Sequence, residues 1–183
     1  MKIDLFCPSR ERINKVLTFI CSIITTAKDI NNINLVLGVD DDDPKLDYYL
    51  KIAQNLNFIQ LVRYPAGFFK EVGLSGLWNQ MAKETTGEII AMVGDDMKFE
   101  TSNWDEKILN EFSNKKDNFY LIHCNDGMRG PGNKYANVPP LAVNSFIHRD
   151  YVDTIGQYME IIEPNTYGDT YLDKVFELLD RKI

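Results

Sequence analysis

The sequence is poor in the residues that would make several common chemistries legible. Among 183 residues there are three cysteines and two histidines. Cys7, Cys21 and Cys124 are odd in number and no two are spaced as zinc ligands. All three sit in apolar stretches and read as buried free thiols of a reducing compartment. Basic charge is also short. Twenty Lys and Arg against 27 Asp and Glu leave a net charge of −7, which argues against general binding to nucleic-acid phosphates. No apolar run is long enough to cross a bilayer, since VLTFICSIITTA is bounded by Lys15 and Lys28. The opening MKIDLFCPSRERI has too short an apolar core for a secretion signal. A cytoplasmic protein without a transmembrane segment is the expectation. A Walker A loop, an HExxH helix and a GxSxG elbow are all missing, which leaves a P-loop ATPase, a zincin or a serine hydrolase without a motif.

What is there is an ordinary globular mix, 44% hydrophobic and 26% charged. The length suits one domain, 1–183, with a real core. Apolar runs read as strands at KIDLFC, INLVLGV (33–39), FIQLV (58–62), EIIAMV (88–93), FYLIHC (119–124) and LAVNSFI (141–147). Between them the spacing predicts helices. The first covers 10–28, with Ile13, Val16, Leu17, Ile20, Ile24 and Ala27 on its inner stripe. Others follow at 46–56, from Leu74 through Ala82, at 104–112, at 148–156 and at 170–179. YPAGFFKEVG (64–73) reads as a loop with two glycines, and 127–140 as a long loop carrying Arg129, Lys134 and Tyr135 near a substrate. Alternating strands and helices predict an α/β domain, Rossmann-like, with a mostly parallel central sheet covered on both faces.

In such sheets ligands bind beyond the carboxyl ends of the strands. Ser9, Arg10 and Arg12 follow the first strand; Asp40, Asp41, Asp42 and Asp43 the second; Asp95 and Asp96 the fourth; His123, Asn125 and Asp126 the fifth. Adjacent carboxylates raise each other's pKa unless a cation neutralises them. Hard oxygen ligands suit Mg²⁺ or Mn²⁺, which take their remaining ligands from phosphates and water. Asp95 and Asp96 are therefore expected to hold a divalent ion, and the ion a diphosphate. The plainer alternative has Asp95 capping the next turn and Asp96 solvated.

Four stretches in order, CPSRER, LVLGVDDDDP, GLWNQMAKETTGEIIAMVGDDMKF and YGDTYLDKVF, resemble the GT-A-fold glycosyltransferases, family 2 in particular. They span almost the whole chain. The resemblance implies a nucleotide-sugar donor, UDP- or GDP-linked, a glycan, lipid-linked or protein acceptor, and inversion at the anomeric carbon. It also implies a DXD-type metal site. Here the stretch is Gly94-Asp95-Asp96, and Asp96 fits the final position of the motif better. The late acidic motif, often Glu-Asp, is Gly168-Asp169 here. The chain is short, so acceptor-binding extensions are expected to be small or missing.

The expected donor-binding set is Ser9, Arg10, Arg12, Asp40, Lys70, Asn79 and Asp95. Arg10 and Arg12 would meet phosphate or base, although helical spacing turns them to different sides, which leaves one of them a surface charge. Asp40 suits a hydrogen bond to base or ribose, while Asp41, Asp42 and Asp43 read as turn residues. Lys70, in its loop, is a phosphate partner or simply exposed. Asn79 lies beside the helical stripe and would face the donor; Trp78 reads as core. His148, together with Asp95 and Asp96, is a candidate metal ligand, or a cap. Asp169 and Asp173 share a helical face, and Asp169 is the expected base for an acceptor hydroxyl, or an N-cap. Two rival functions stand beside this one. Nucleotidyl transfer usually wants a glycine-rich first loop, and CPSRER has none. A nucleotide-sugar-binding module without turnover is the other.

Overall fold

Each core strand is buried on both faces, so its side chains feed two cores in alternation. In the computed structural model, which describes residues 1–125, 127, 142–160 and 168–183, β1 (Ile3–Pro8) sends Ile3, Leu5 and Cys7 to one side and Phe6 to the other. The sheet has six strands: β1, β2 (Ile33–Asp40), β3 (Ile59–Tyr64), β4 (Ile89–Met92), β5 (Leu121–His123) and β6 (Ser145–His148). Their order is β3-β2-β1-β4-β6-β5. β3, β2, β1 and β4 run parallel, and β6 is antiparallel to both of its neighbours. The mostly parallel α/β architecture read from the sequence is what the chain adopts. Among the described residues no helix is long and apolar enough to cross a membrane.

One face carries α1 (Ile13–Thr26), α2 (Leu46–Asn55) and α4 (Trp104–Ser113), whose Phe19, Tyr49 and Trp104 pack with the odd residues of β1. The other carries α3 (Phe68–Lys83), α5 (Arg149–Ile155) and α6 (Gly168–Leu178), with Met81, Tyr151 and Phe176 against Phe6 and Met92. In α1 the buried stripe is Val16, Phe19, Ile20 and Ile23, while Leu17 and Ile24 are exposed. The inner face is thus rotated by about one residue from the predicted one. Two of the three thiols also differ from expectation: all are free, but only Cys7 is buried, and Cys21 and Cys124 are exposed.

The segment read as a loop before Leu74 is already helical. α3 starts at Phe68 and breaks at Gly73, whose φ of 67° and ψ of −178° interrupt the helix. Such a conformation is accessible to glycine and costly for any residue with a Cβ. Lys70 therefore sits on the first turn of α3 and not in a loop. Residues 128–140 of the long loop, with Arg129, Lys134 and Tyr135, and Asp126 before it, lie outside the described residues.

At the amino-terminal edge of the parallel strands, buried Asp4 accepts from the backbone N–H of Gly87 (2.7 Å), Asn34 Nδ2 (2.9 Å) and Arg149 (3.3 Å). Arg149 also donates to the carbonyls of Gly87 and Ala82 and to Thr85 Oγ1. The guanidinium thus closes the carboxyl end of α3 and the turn into β4, and neutralises a carboxylate that burial would otherwise make costly.

Candidate functional site

The chain goes from β1 out to β2 and β3, then returns to β4 on the other side of β1. That reversal opens a crevice at the carboxyl ends of β1, β2 and β4, the place where open α/β sheets bind ligands. A cleft of about 350 Å³ lies there, lined by Ser9, Arg10, Arg12, Asp40, Asp95 and Asp96 on its polar side and by Phe69, Leu74, Leu77, Trp78 and Val93 on its apolar side. Its size lies within the range of small-molecule sites. Six of the polar residues singled out from sequence converge on it.

The turn after β1 sets the two arginines. Glu11 has φ of 59°, a left-handed conformation uncommon for a residue with a side chain. Its N–H is held by Asp43 Oδ2 (2.9 Å). The kink sends Arg10 towards β2 and Arg12 towards β4. Arg10 grips Asp42 (2.7 Å) and reaches Asp40 (3.4 Å); Arg12 spans Asp95 (2.8 Å) and Asp96 (2.6 Å). Both arginines line the cleft, so neither is a mere surface charge. The acidic run after β2 is likewise divided. Asp41 pairs with Arg63 (2.7 Å), Asp43 accepts from the backbone of Glu11 and Lys45, and buried Asp40 is left facing the cleft.

Asp95 is almost inaccessible, at 2% exposure. Its Oδ2 accepts from Ser9 Oγ (2.8 Å). Because the serine proton is spent there, the 2.9 Å contact between Ser9 and Tyr49 requires the tyrosine to donate. Tyr49 Oη in turn accepts from the N–H of Arg12 (3.2 Å). The chain from Tyr49 through Ser9 to Asp95 fixes one carboxylate, whereas Asp96 stands exposed and is also approached by Lys15 (3.4 Å). Tyr49 was not singled out in the sequence, where it sits in an unremarkable helix.

Charge balance differs along the cleft. Burial raises the pKa of Asp40 above the ordinary aspartate value, with Arg10 opposing that shift. The hydrogen bond from Arg12 holds Asp96 below it, and that from Arg10 does the same for Asp42. Burial, with Asp95 and Asp96 nearby, pushes the Cys7 thiol up, so it stays protonated and inert.

The remaining site candidates fall elsewhere. Lys70, on the first turn of α3, lies near enough to Asp42 to favour its charge but is not among the residues that line the cleft. Asn79 does not face the cleft. Its oxygen accepts from the N–H groups of Tyr158 and Met159, and its nitrogen donates to the Met159 carbonyl (2.8 Å). The amide is spent on anchoring the chain after α5. His148 pairs with Ile89, the first residue of β4, because β6 runs antiparallel. This places it at the opposite edge of the sheet from Asp95 and Asp96, where its ring accepts from Asp150 N at the start of α5. It caps a helix and is no ligand of the acidic pair.

Asp173 is buried, accepts from Ala142 N (3.0 Å) and pairs with Lys182 (2.7 Å); it ties α6 to the carboxyl-terminal residues and is not available as a base. Asp169 is different. It is partly exposed in the first turn of α6 and binds Thr170 N (2.7 Å). A Cβ on Gly168 would stand 2.7 Å from Ser75 Oγ and 2.8 Å from Met159 Sδ. That close approach sets the start of α6 against α3 at Ser75, the residue after Leu74, while Asp169 itself is not among the residues that line the cleft. Trp78, read as core, is part of the wall, and its indole N–H has no partner among the described residues.

Two adjacent carboxylates are a hard-cation donor set. Among the described residues no third His, Cys, Asp or Glu joins them in a metal-binding group. Two carboxylates do not form a closed protein cage; a hard divalent ion held by such a pair would have to complete its shell with phosphate oxygens and water.

The sequence matches no known protein family and no curated protein. Solved structures resemble the chain closely in shape. The mannosyltransferase PcManGT from Pyrobaculum calidifontis, in complex with GDP-Man and Mn²⁺, superposes with a TM-score of 0.76 at 11% identity, over 100% of this chain and 54% of that one. Residues 1–349 of TarS from S. aureus superpose at 0.70 and 10% identity, over 94% and 54%. The same protein in complex with UDP-GlcNAc superposes at 0.65 and 11%, over 87% and 49%. The chain thus spans about half the length of the solved chains it matches. The fold is that of the GT-A glycosyltransferases.

Proposed function

We propose that the chain is a glycosyltransferase that binds a nucleotide-diphosphate sugar in the cleft and moves the sugar to an acceptor hydroxyl. The observation that carries this reading is the convergence of Asp40, Arg10, Arg12, Asp95 and Asp96 on one crevice at the topological switch point. The GT-A fold supports it, as do the GDP-Man, Mn²⁺ and UDP-GlcNAc complexes of proteins of similar shape.

Each group has a task in this reading. Asp40 accepts a hydrogen bond from the base or ribose. The apolar wall of Phe69, Leu74, Leu77 and Trp78 covers the flat face of the nucleoside. Arg10, Arg12 and Lys70 meet phosphate oxygens. Asp95, fixed by Ser9 and Tyr49, and Asp96 would hold Mg²⁺ or Mn²⁺; when bound, the ion offsets charge on the departing diphosphate. Asp169 deprotonates the acceptor hydroxyl as it attacks the anomeric carbon from the opposite side, giving inversion.

The test is turnover of UDP-GlcNAc and GDP-Man, read as released nucleoside diphosphate over a panel of glycan, lipid-linked and peptide acceptors with Mn²⁺. Release from one donor class is expected. Asp169→Asn should cut kcat by roughly 10²- to 10⁴-fold, the usual worth of a positioned base, and leave nucleotide affinity unchanged. Equal kcat in that variant removes Asp169 from the account. Donor binding without release from any donor favours a second reading, a nucleotide-sugar-binding module. The commitment of Asp173 to Ala142 and Lys182 leaves that module with one late carboxylate instead of two.

A further inference from the structure

We propose that Arg12 is a built-in competitor of the divalent ion, a guanidinium that closes the acidic pair until a diphosphate draws it away. This rests on the reading of the cleft as a nucleoside-diphosphate site and adds a role for one side chain.

The guanidinium places one nitrogen 2.8 Å from Asp95 Oδ1 and the other 2.6 Å from Asp96 Oδ2. Those are the oxygens through which the pair would face an ion. Asp95 has its second oxygen turned to Ser9 (2.8 Å), so both of its oxygens already have a donor while Arg12 is in place. Lys15 adds a second cation to Asp96 Oδ2 at 3.4 Å. Two positive side chains thus already balance the two carboxylates, and an incoming Mn²⁺ meets like charge at short range instead of bare oxygens.

The bridge is also built to open. Asp95 is rigid, but the Arg12 side chain is 41% exposed, so the guanidinium has solvent to swing through. Its backbone does not need to follow, because the N–H is held by Tyr49. A diphosphate presents paired oxygens that match the guanidinium fork as well as carboxylates do. When one arrives, Arg12 exchanges carboxylate oxygens for phosphate oxygens, and the freed pair receives the ion. Positive and negative charge stay matched before and after. Metal entry then depends on the presence of the diphosphate, and the empty cleft does not scavenge divalent ions.

Calorimetric titration of the whole chain with MnCl₂ alone tests this, comparing wild type with Arg12→Met, which keeps an apolar stem and removes the charge. The variant is expected to bind one Mn²⁺ at least tenfold more tightly than wild type. At saturating Mn²⁺ it is expected to bind UDP or GDP about tenfold more weakly, having lost the guanidinium that should have moved to phosphate. An unchanged or weaker Mn²⁺ affinity in a variant with wild-type circular dichroism overturns the proposal, as does undiminished UDP and GDP affinity. If Arg12→Met does not fold, Arg12→Lys carries the comparison. An ammonium cannot span both carboxylates, so a severalfold gain in Mn²⁺ affinity is expected, and no gain overturns the idea. A Mn²⁺ gain accompanied by no UDP or GDP binding to either protein upholds the competition at the acidic pair and removes the donor reading instead.

Discussion

Asp40 and Asp96 lie on the same cleft with carboxylates biased in opposite directions. Burial raises the pKa of Asp40 above its ordinary 3.8, while Arg12 holds Asp96 below that value. In the proposed donor site Asp40 accepts a hydrogen bond from base or ribose more strongly as a carboxylate than as the neutral acid. As pH falls, Asp40 therefore protonates first, at a pH above 3.8, and the nucleoside contact weakens while the Asp96–Arg12 pair persists. The sign for folding is the reverse of the usual carboxylate case: since the folded state of Asp40 binds its proton more tightly than the unfolded state, its contribution to stability falls as pH rises from 3.8 through the raised value. Asp40→Asn should remove the acid limb of a UDP or GDP affinity profile that begins above pH 3.8. An unaltered profile in that variant means that another group reads the nucleoside.

At the scale of elements, the strands and the residues at their carboxyl ends were legible because β1, β2 and β4 end in abrupt changes from apolar to charged residues. That Asp40, Asp95, Asp96, Arg10 and Arg12 share one cleft follows from those strand ends. Three things were not legible. The α3 break hid a helical turn, since a glycine within YPAGFFKEVG signals a loop unless its φ and ψ are known. The antiparallel direction of β6 carried His148 to the wrong edge, and nothing in a short apolar run gives strand direction. Asn79 and Asp173 look functional because they are polar beside apolar stripes, but each is consumed by backbone or side-chain partners distant in sequence. The α3 break yields its own expectation. Gly73→Ala places a Cβ at φ 67°, ψ −178° and should cost about 1–3 kcal/mol in urea unfolding. It should also weaken nucleotide binding, because Phe69 and Leu74 flank the break and both line the cleft. A variant with wild-type stability and affinity would show that α3 can re-form without the break.

Across the whole molecule, the sheet separates two polar edges with different jobs. The amino-terminal edge is structural: Arg149 clamps Asp4, Gly87, Ala82 and Thr85. Arg149→Ala leaves Asp4 buried without its cation, and a loss of roughly 3 kcal/mol in chemical denaturation is expected, with UDP and GDP affinity unaltered where the variant stays folded. His148→Ala at the same edge should likewise leave Mn²⁺ affinity as it was. The carboxyl-terminal edge carries the cleft proposed here as the donor site, and the solved structures of similar shape share the fold over about half of their own length.

The central claim is that the acidic pair at the end of β4 and Asp40 at the end of β2 serve one nucleoside diphosphate. Isothermal titration of the intact chain with UDP and with GDP, in the presence of Mn²⁺, tests it most directly. One of the two is expected to bind at a single site, and Asp96→Asn and Asp40→Asn are each expected to weaken it at least tenfold while melting like wild type. Heat from neither nucleotide, or binding that both variants retain in full, would contradict the account.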